Sequence, residues 1–280
     1  MTTLPLLKTI SLRQIPNTNL YGSLKGAWER RFSYKQALSV WRRFSRGSFL
    51  SPPDYNSKLV KGQAHGWQTI SLSLAPSDIS GIDVCPFKTE ECAASCIGHS
   101  AGNAGRYPAV LKARIMRTRF LFTYPEAAMG LMAHELLSLR VKLGMRAKIA
   151  FRMNAFSDIV HESLNPGLLM YAQSLGIQLY DYTKVSPRML RPFTGYDLTL
   201  SYSGENWDEC VDTLNNGGRV SMVFIGTPPK VYNGFTVVNG DRHDLRFLDP
   251  KGVIVGLSLK GVSPMTAGKF AVKESCHMNA

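Results

Sequence analysis

A regular alternation of strand-like and helix-like segments after residue 63 constrains the fold of this 280-residue chain more than any other feature. Short runs rich in β-branched residues recur six times, and most are separated by segments with a helical pattern. The predicted strands are Gln68–Leu74, Lys148–Asn154, Ile177–Thr183, Asp197–Tyr202, Arg219–Ile225 and Val253–Leu259. Because strands that alternate with helices run parallel, we predict an open α/β sheet or a partial (β/α)6 barrel.

The helical segments and their end signals agree with this fold. The predicted helices are Pro108–Phe122, Pro125–Leu143, Leu164–Leu175 and Asn206–Asn216, and Gly144, Gly176 and Gly217 stand where helix C-caps belong. A further run, Phe235–Asn239, is interpreted as a hairpin arm joined through the turn Asp249-Pro250-Lys251-Gly252.

Composition and charge divide the chain into three parts. With 44% hydrophobic residues it can bury a sizeable core, and no stretch approaches the roughly 20 apolar residues of a membrane span. We predict a basic N-terminal extension over residues 1–62, a partial barrel with a cysteine cluster over 63–262, and a C-terminal tail over 263–280. The first twenty residues lack a secretory signal pattern, so a reducing cytoplasm is the expected compartment, with no membrane partner.

The basic excess lies mainly near the N-terminus. Residues 1–60 hold ten lysines and arginines against two acidic residues, a net charge of +8 out of +13 for the chain. The segment Tyr34–Gly47 predicts a helix with an apolar face and, opposite it, Lys35, Arg42, Arg43 and Arg46. These four cations are candidates for contact with nucleic-acid phosphates. The alternative is a helix docked on the core with a solvated basic side.

Three of the five cysteines, Cys85, Cys92 and Cys96, fall within twelve residues of a polar loop, far from Cys210 and Cys276. An odd, tight set of thiols suits three-point binding of a metal or an iron–sulfur cluster, because a disulfide framework uses an even number. One alternative is zinc, with His99 completing a Cys3His set in a non-catalytic nucleic-acid-binding protein. The other is buried cysteines with no metal.

Polar residues recur where the predicted strands end. Parallel α/β folds build their sites at the C-terminal ends of strands, so we expect these residues to share one site. They are Asn154, Ser157, Asp158, Lys184, Ser201, Ser203, Glu205, Asp241 and Asp244. Taken singly, each could instead be a helix cap or a surface residue.

The order of these motifs resembles that of radical S-adenosylmethionine enzymes, and in particular that of phage-encoded proteins related to them. In that group the cysteines read C-x6-C-x2-C, a later strand ends in a Ser-Asp segment like 154–162, and the next carries Thr-Lys followed by Pro-Arg-Met, as in 183–189. The segment 198–206 is also similar, so the resemblance covers roughly Gln68 to Asn206. The spacing differs, because this chain has C-x6-C-x3-C where most radical S-adenosylmethionine enzymes have C-x3-C-x2-C.

The resemblance implies a 4Fe-4S cluster on Cys85, Cys92 and Cys96. With three protein thiolates one iron stays open, and it would chelate S-adenosylmethionine, which electron transfer from a reductant protein then cleaves to an adenosyl radical. By position, Asn154, Ser157 and Asp158 are expected to contact the amine of the cofactor. Its ribose hydroxyls are expected to contact Ser201, Ser203 and Glu205.

Lys184 is predicted to act as a catalytic residue near the carboxylate of that cofactor. The expected substrate is a nucleic acid or nucleotide, in a host cytoplasm if the protein is phage-encoded. A minor alternative is a transglycosylase-like barrel that modifies a base, with Asp241 as its catalytic carboxylate and Asp244 beside it.

Overall fold

Nine strands form one sheet in the computed structural model, which describes residues 21–54, 57–99, 107–190 and 192–273. The strands are β1 (Trp67–Ser71), β2 (Lys148–Arg152), β3 (Ile177–Thr183), β4 (Tyr196–Ser201), β5 (Val220–Phe224), β6 (Val231–Tyr232), β7 (Phe235–Asn239), β8 (Ile254–Ser258) and β9 (Ala271–Val272). The helices are α1 (Tyr34–Trp41), α2 (Ser57–Gln63), α3 (Glu90–Ala94), α4 (Pro108–Thr123), α5 (Pro125–Leu143), α6 (His161–Leu164), α7 (Pro166–Ser174), α8 (Pro187–Leu190), α9 (Trp207–Asn215) and α10 (Pro264–Ala267). Among the described residues, short 3-10 helices span Arg246–Leu248 and Gly268–Phe270.

The strand order is β1-β2-β3-β4-β5-β8-β7-β6, with β9 paired to β5. The six strands β1 to β5 and β8 are neighbours and run parallel, which confirms the predicted α/β class and the six predicted strands. The sheet is open along this order. Parallel strands bring the C-terminal ends of all six to one edge, where the predicted polar residues lie.

Phe235–Asn239 is a hairpin arm, as predicted, but the predicted turn is wrong. As β7 it pairs in parallel with β8, so Asp249–Gly252 does not join these two strands as a hairpin. Its hairpin partner is β6, through Asn233 and Gly234, whose φ values are +47° and +82°. An Asn-Gly pair with positive φ at both positions suits a two-residue hairpin turn. The hairpin therefore forms at this pair and not at Asp249–Gly252.

Strands β4 and β5 separate towards their C-terminal ends. They pair only at Leu200–Val220 and Ser201–Ser221. Beyond that point β5 pairs with Ala271 and Val272 of β9. The C-terminal segment therefore takes the place of β4 beside the end of β5.

The helix predictions hold, with one change of length. Helices α4, α5, α7 and α9 agree with the predicted segments to within about a turn, and Gly144, Gly176 and Gly217 have φ values of +80°, +68° and +76°. The predicted helix Tyr34–Gly47 ends early, at Trp41. There the chain turns back, and the Trp41 indole N–H donates to the Gly47 carbonyl at 2.6 Å.

Helix α1 packs directly on the main core. Trp41 is 1% exposed and contacts Phe49 and Phe120 edge to face. Close approach to α5 depends on Gly130, where a Cβ atom would lie 2.4 Å from the Phe32 carbonyl oxygen. The helices described include none that is both long and apolar enough to cross a lipid bilayer.

Candidate functional site

A cavity of about 230 Å³ opens at the C-terminal ends of the parallel strands. Its walls come from the loops after β1, β2, β3 and β4, from the ends of β5 and β8, and from the C-terminal segment. Lining residues include Cys85, Cys92, Cys96, Arg152, Asn154, Phe156, Ser157, Asp158, Tyr182, Lys184, Ser201, Tyr202, Ser221, Asp241, Ser258, Lys260 and Phe270. This is the position at which α/β folds bind ligands.

All three clustered cysteines lie on the wall of this cavity. The Cys85 thiol faces the Phe156 carbonyl at 3.7 Å, and Cys96 Sγ accepts from the Gly98 N–H at 3.4 Å. Burial raises the pKa of Cys85 to about 12 and also raises the pKa of Cys96. These two groups are therefore neutral thiols at pH 7 unless a metal displaces their protons.

Thr89 fixes the position of Cys92. As the N-cap of α3, its hydroxyl accepts from the Cys92 N–H at 3.2 Å and donates to the Ser203 carbonyl at 2.9 Å. Glu90 and Glu91 occupy the first turn, where acidic residues suit the helix dipole. One hydroxyl thus ties the cysteine loop after β1 to the loop after β4.

Arg114 and Gly98 hold the other end of the cysteine loop. The Arg114 guanidinium donates to the Gly98 carbonyl and lies 3.7 Å from the centroid of the Phe156 ring. Gly98 leaves no room for a side chain, because a Cβ atom there would lie 2.8 Å from Pro76 Cγ, 3.0 Å from Phe156 and 3.3 Å from Cys96 Sγ.

The substitution Gly98→Ala should therefore destabilise the protein and displace the Cys96 side of the loop. Overpacking of this kind costs about 1–3 kcal/mol in the free energy of unfolding, to be measured by urea denaturation. Gly22→Ala is the matched control, since a Cβ atom at Gly22 meets nothing within 4 Å. Equal stabilities of the two variants would contradict the packing argument.

The segment after β2 is held by its own hydrogen bonds. The Asn154 amide oxygen accepts from the Ser157 hydroxyl at 2.8 Å and from the Ile159 N–H at 2.9 Å. Asp158 accepts from the Thr183 hydroxyl at 2.8 Å and from the Lys184 N–H at 2.7 Å. The three residues predicted here are thus together on the cavity wall and build its shape, with burial raising the pKa of Asp158.

Lys184 places a positive charge beside the thiols. Its ammonium lies 6.0 Å from the centroid of the Phe270 ring, on the cavity wall shared with the three cysteines. Burial would lower the pKa of Lys184, but the neighbouring Cys92 and Asp158 outweigh it and raise this pKa above its usual value. The cavity therefore offers a permanent cation to an anionic ligand.

Of the three residues predicted after β4, one lines the cavity and two do not. Ser201 lines the cavity and shares a 3.1 Å hydrogen bond with Ser221. Ser203 is buried, and its hydroxyl donates to Asn206 at 3.0 Å. Glu205 is exposed, and neither it nor Ser203 is among the residues that line the cavity.

The two carboxylates near β7 also differ. Asp241 lines the cavity, where it pairs with Lys260 and accepts from the Ser258 N–H at 3.0 Å. Burial would raise its pKa, but the hydrogen bond from Lys260 outweighs burial and lowers this pKa. Asp244 is buried behind the wall and accepts from Arg152 at 2.5 Å.

Several cavity residues had no predicted role. Arg152 and Tyr182 stand at strand ends, a signal that sequence patterning offers. Phe270 follows no predicted strand, so only the tertiary structure reveals it. The basic residues Lys35, Arg42, Arg43 and Arg46 are exposed on or just after α1 and do not line the cavity.

Within residues 21–54, 57–99, 107–190 and 192–273, no three His, Cys, Asp or Glu side chains are grouped so that they could hold one metal ion. The His99 ring, predicted as a fourth zinc ligand, has Nε2 3.0 Å from the Ala93 carbonyl oxygen and does not line the cavity.

Comparison with known proteins gives one match. No curated protein and no solved structure matches the chain. The family model described as Gene product 88 matches residues 48–278, from just after α1 to beyond β9, which is more than half of the chain. The chain therefore belongs to the Gene product 88 family of phage proteins.

Proposed function

We propose that this protein is a radical S-adenosylmethionine-like enzyme in which Cys85, Cys92 and Cys96 hold a 4Fe-4S cluster. One observation carries the proposal: these cysteines, from the loop after β1, share a cavity at the C-terminal ends of six adjacent parallel strands. In this proposal β1 to β5 and β8 act as the partial (β/α)6 barrel.

The donor set suits such a cluster. Three thiols leave one iron of a cubane without a protein ligand. Each thiolate of a cubane binds a different iron, so its ligands need not converge on one point as the ligands of a single ion must. The ammonium of Lys184 stands where it would offset the negative charge of a thiolate-bound cluster.

When bound, the cluster would supply the electron that cleaves S-adenosylmethionine. The chain's own residues would bind S-adenosylmethionine, orient it and shield it from water. Phe156 and Phe270 limit water on two walls, and Lys184 is placed to bind a carboxylate. The Ser203 hydroxyl is hydrogen-bonded to Asn206, and Glu205 is exposed. The ribose hydroxyls would therefore contact Ser201 and its hydrogen-bond partner Ser221.

The two alternatives have less support. A Cys3His zinc site requires a ring nitrogen of His99, whose Nε2 lies against the Ala93 carbonyl. A glycosidase-like pair requires two available carboxylates. Asp241 is paired with Lys260, and Asp244 is buried against Arg152.

The test is metal content and cofactor cleavage by protein purified without oxygen. We expect about four irons and four sulfides per chain with a broad absorbance near ~400 nm. After reduction, S-adenosylmethionine should yield methionine and 5′-deoxyadenosine. One zinc per chain in a colourless protein would contradict the proposal and favour the binding protein.

We further propose that the substrate is a nucleic acid or nucleotide, supported by the four exposed cations of the α1 region. In the described part of the chain none of these side chains has an ion pair. Changing all four to Glu should weaken DNA or RNA binding and flatten its dependence on salt, because phosphate contacts release counterions. Binding is measured by fluorescence anisotropy at several salt concentrations.

The matched control reverses four exposed cations elsewhere. These are Lys142, Arg146, Lys230 and Lys251. Since the total charge change is the same, equal losses in the two variants would mean that net charge, and not the α1 surface, governs binding.

A further inference from the structure

Arg152 lies on the cavity wall at the end of β2 and has no role in the chemistry proposed above. Its side chain is 12% exposed. Burial would lower the pKa of its guanidinium, but the charge of Asp244 outweighs burial and raises this pKa. Arg152 is therefore a fixed, nearly buried cation facing a ligand-sized space.

Most of its hydrogen-bond donors have no acceptor in the described part of the chain. A guanidinium has five N–H groups. Among the described residues, its only hydrogen bond runs from Nη1 to Asp244 Oδ2, at 2.5 Å. Its Nε lies 3.5 Å from Asp181 Oδ1 and makes no hydrogen bond. Nε is buried without an acceptor, which is costly, and Nη2 makes no hydrogen bond to the described residues, so this group points to a ligand.

The second neighbouring carboxylate, that of Asp181, forms its hydrogen bonds with other groups. The Asp181 carboxylate accepts from the Met153 and Asn154 N–H groups at 3.0 Å and from the Tyr196 hydroxyl at 2.7 Å. Burial raises the pKa of Asp181 to about 7, so near neutral pH it carries only part of its charge. Arg152 thus keeps capacity for a further anion.

The orientation of the guanidinium is also fixed. Its central carbon lies 4.7 Å from the centroid of the Tyr182 ring, and the Tyr182 hydroxyl donates to Asp244 at 3.1 Å. Ring and carboxylate together hold the planar fork in place before any ligand arrives. Preorganisation of this kind raises affinity, because less motion is lost on binding.

We infer that Arg152 is an anion-binding residue of the cavity, in addition to Lys184, and takes a carboxylate or phosphate group. A planar guanidinium matches both groups through paired N–H donors. The ligand group is either the carboxylate of a methionine-containing cofactor or a phosphate of the substrate. Arg152 would bind this group whether or not iron is present, while the choice of a methionine-containing cofactor rests on the function proposed above.

The test is calorimetric titration of the full-length protein with inorganic phosphate and, separately, with methionine. Arg152→Lys keeps the positive charge but loses the paired N–H donors of the planar guanidinium. Arg219→Lys is the matched control, because Arg219 is buried and paired with Asp197 but does not line the cavity. We expect Arg152→Lys to weaken binding of one probe at least about tenfold, with Arg219→Lys unchanged.

Each outcome decides a point. Loss confined to phosphate assigns the group to the substrate, and loss confined to methionine assigns it to the cofactor. Wild-type protein that binds neither probe, or an Arg152→Lys variant that binds both like the control, overturns the inference. Should circular dichroism show Arg152→Lys unfolded, the charge-balanced pair Arg152→Gln with Asp244→Asn replaces it in the same titrations.

Discussion

Changing Cys85, Cys92 and Cys96 together to alanine is expected to lower bound iron and sulfide from about four of each per chain to near zero. Absorbance near ~400 nm and cleavage of S-adenosylmethionine should be lost with them. Removing every protein ligand leaves no thiolate on the cavity wall, so this is the largest functional effect that the structure predicts.

The fold should survive this change. The three cysteines are only partly buried and lie in the segment between β1 and α4, Cys92 in the short helix α3, while the core is built from the strands and long helices. Far-ultraviolet circular dichroism should therefore match that of the wild type. A variant that loses its iron because it has unfolded would fail this check.

Cys210→Ala is the matched control. Cys210 is also a free thiol, but it is fully buried in a hydrophobic cluster that includes Leu200 and Leu214, and it does not line the cavity. It should lose some stability and no iron. Full iron content in the triple variant, or equal loss in Cys210→Ala, would show that the clustered cysteines do not hold the cluster.

The sequence predicted the repeating part of this fold well. Strand and helix periodicity located the six parallel strands, and glycine located the ends of three helices because positive φ is a local requirement. It also placed Cys85 and Asp158 near each other in space, since both follow strands whose ends meet at one edge.

Contacts between residues far apart in the chain could not be predicted from the sequence. β9 is two residues long and owes its place beside β5 to the separation of β4, which no local pattern encodes. Arg152 and Asp244 are 92 positions apart, and spacing alone cannot pair them. The internal hydrogen bonds of Asn154 reach only three and five positions along the chain, and they were missed for a different reason: they depend on the exact path of the loop.

The family match separates the cavity from the basic α1 region. It begins at residue 48, so the exposed cations of the α1 region lie before it, whereas the cavity and all three clustered cysteines lie within it. The cavity proposals thus concern the matched region, and the nucleic-acid proposal concerns a segment outside it. The two experiments should accordingly be interpreted separately.

The largest expected effect on stability comes from Arg188→Met. Arg188 is 5% exposed and holds Glu162 through two hydrogen bonds, at 2.6 and 2.9 Å, and Asp158 at 3.3 Å. Methionine fills similar space but leaves two carboxylates near each other in a poorly solvated place. Removing one partner of a buried ion pair costs about 3–5 kcal/mol, which urea denaturation would measure.

Two further variants identify the cause of that loss. Lys260→Met breaks the pair with Asp241, but the Lys260 side chain is 50% exposed, so the loss should stay below about 1 kcal/mol. Adding Asp158→Asn and Glu162→Gln to Arg188→Met should restore part of the stability, because uncharged amides no longer need a cation. If stability does not recover, lost packing and not unpaired charge explains the effect, and the role of Arg188 as the counter-charge behind the cavity wall would be refuted.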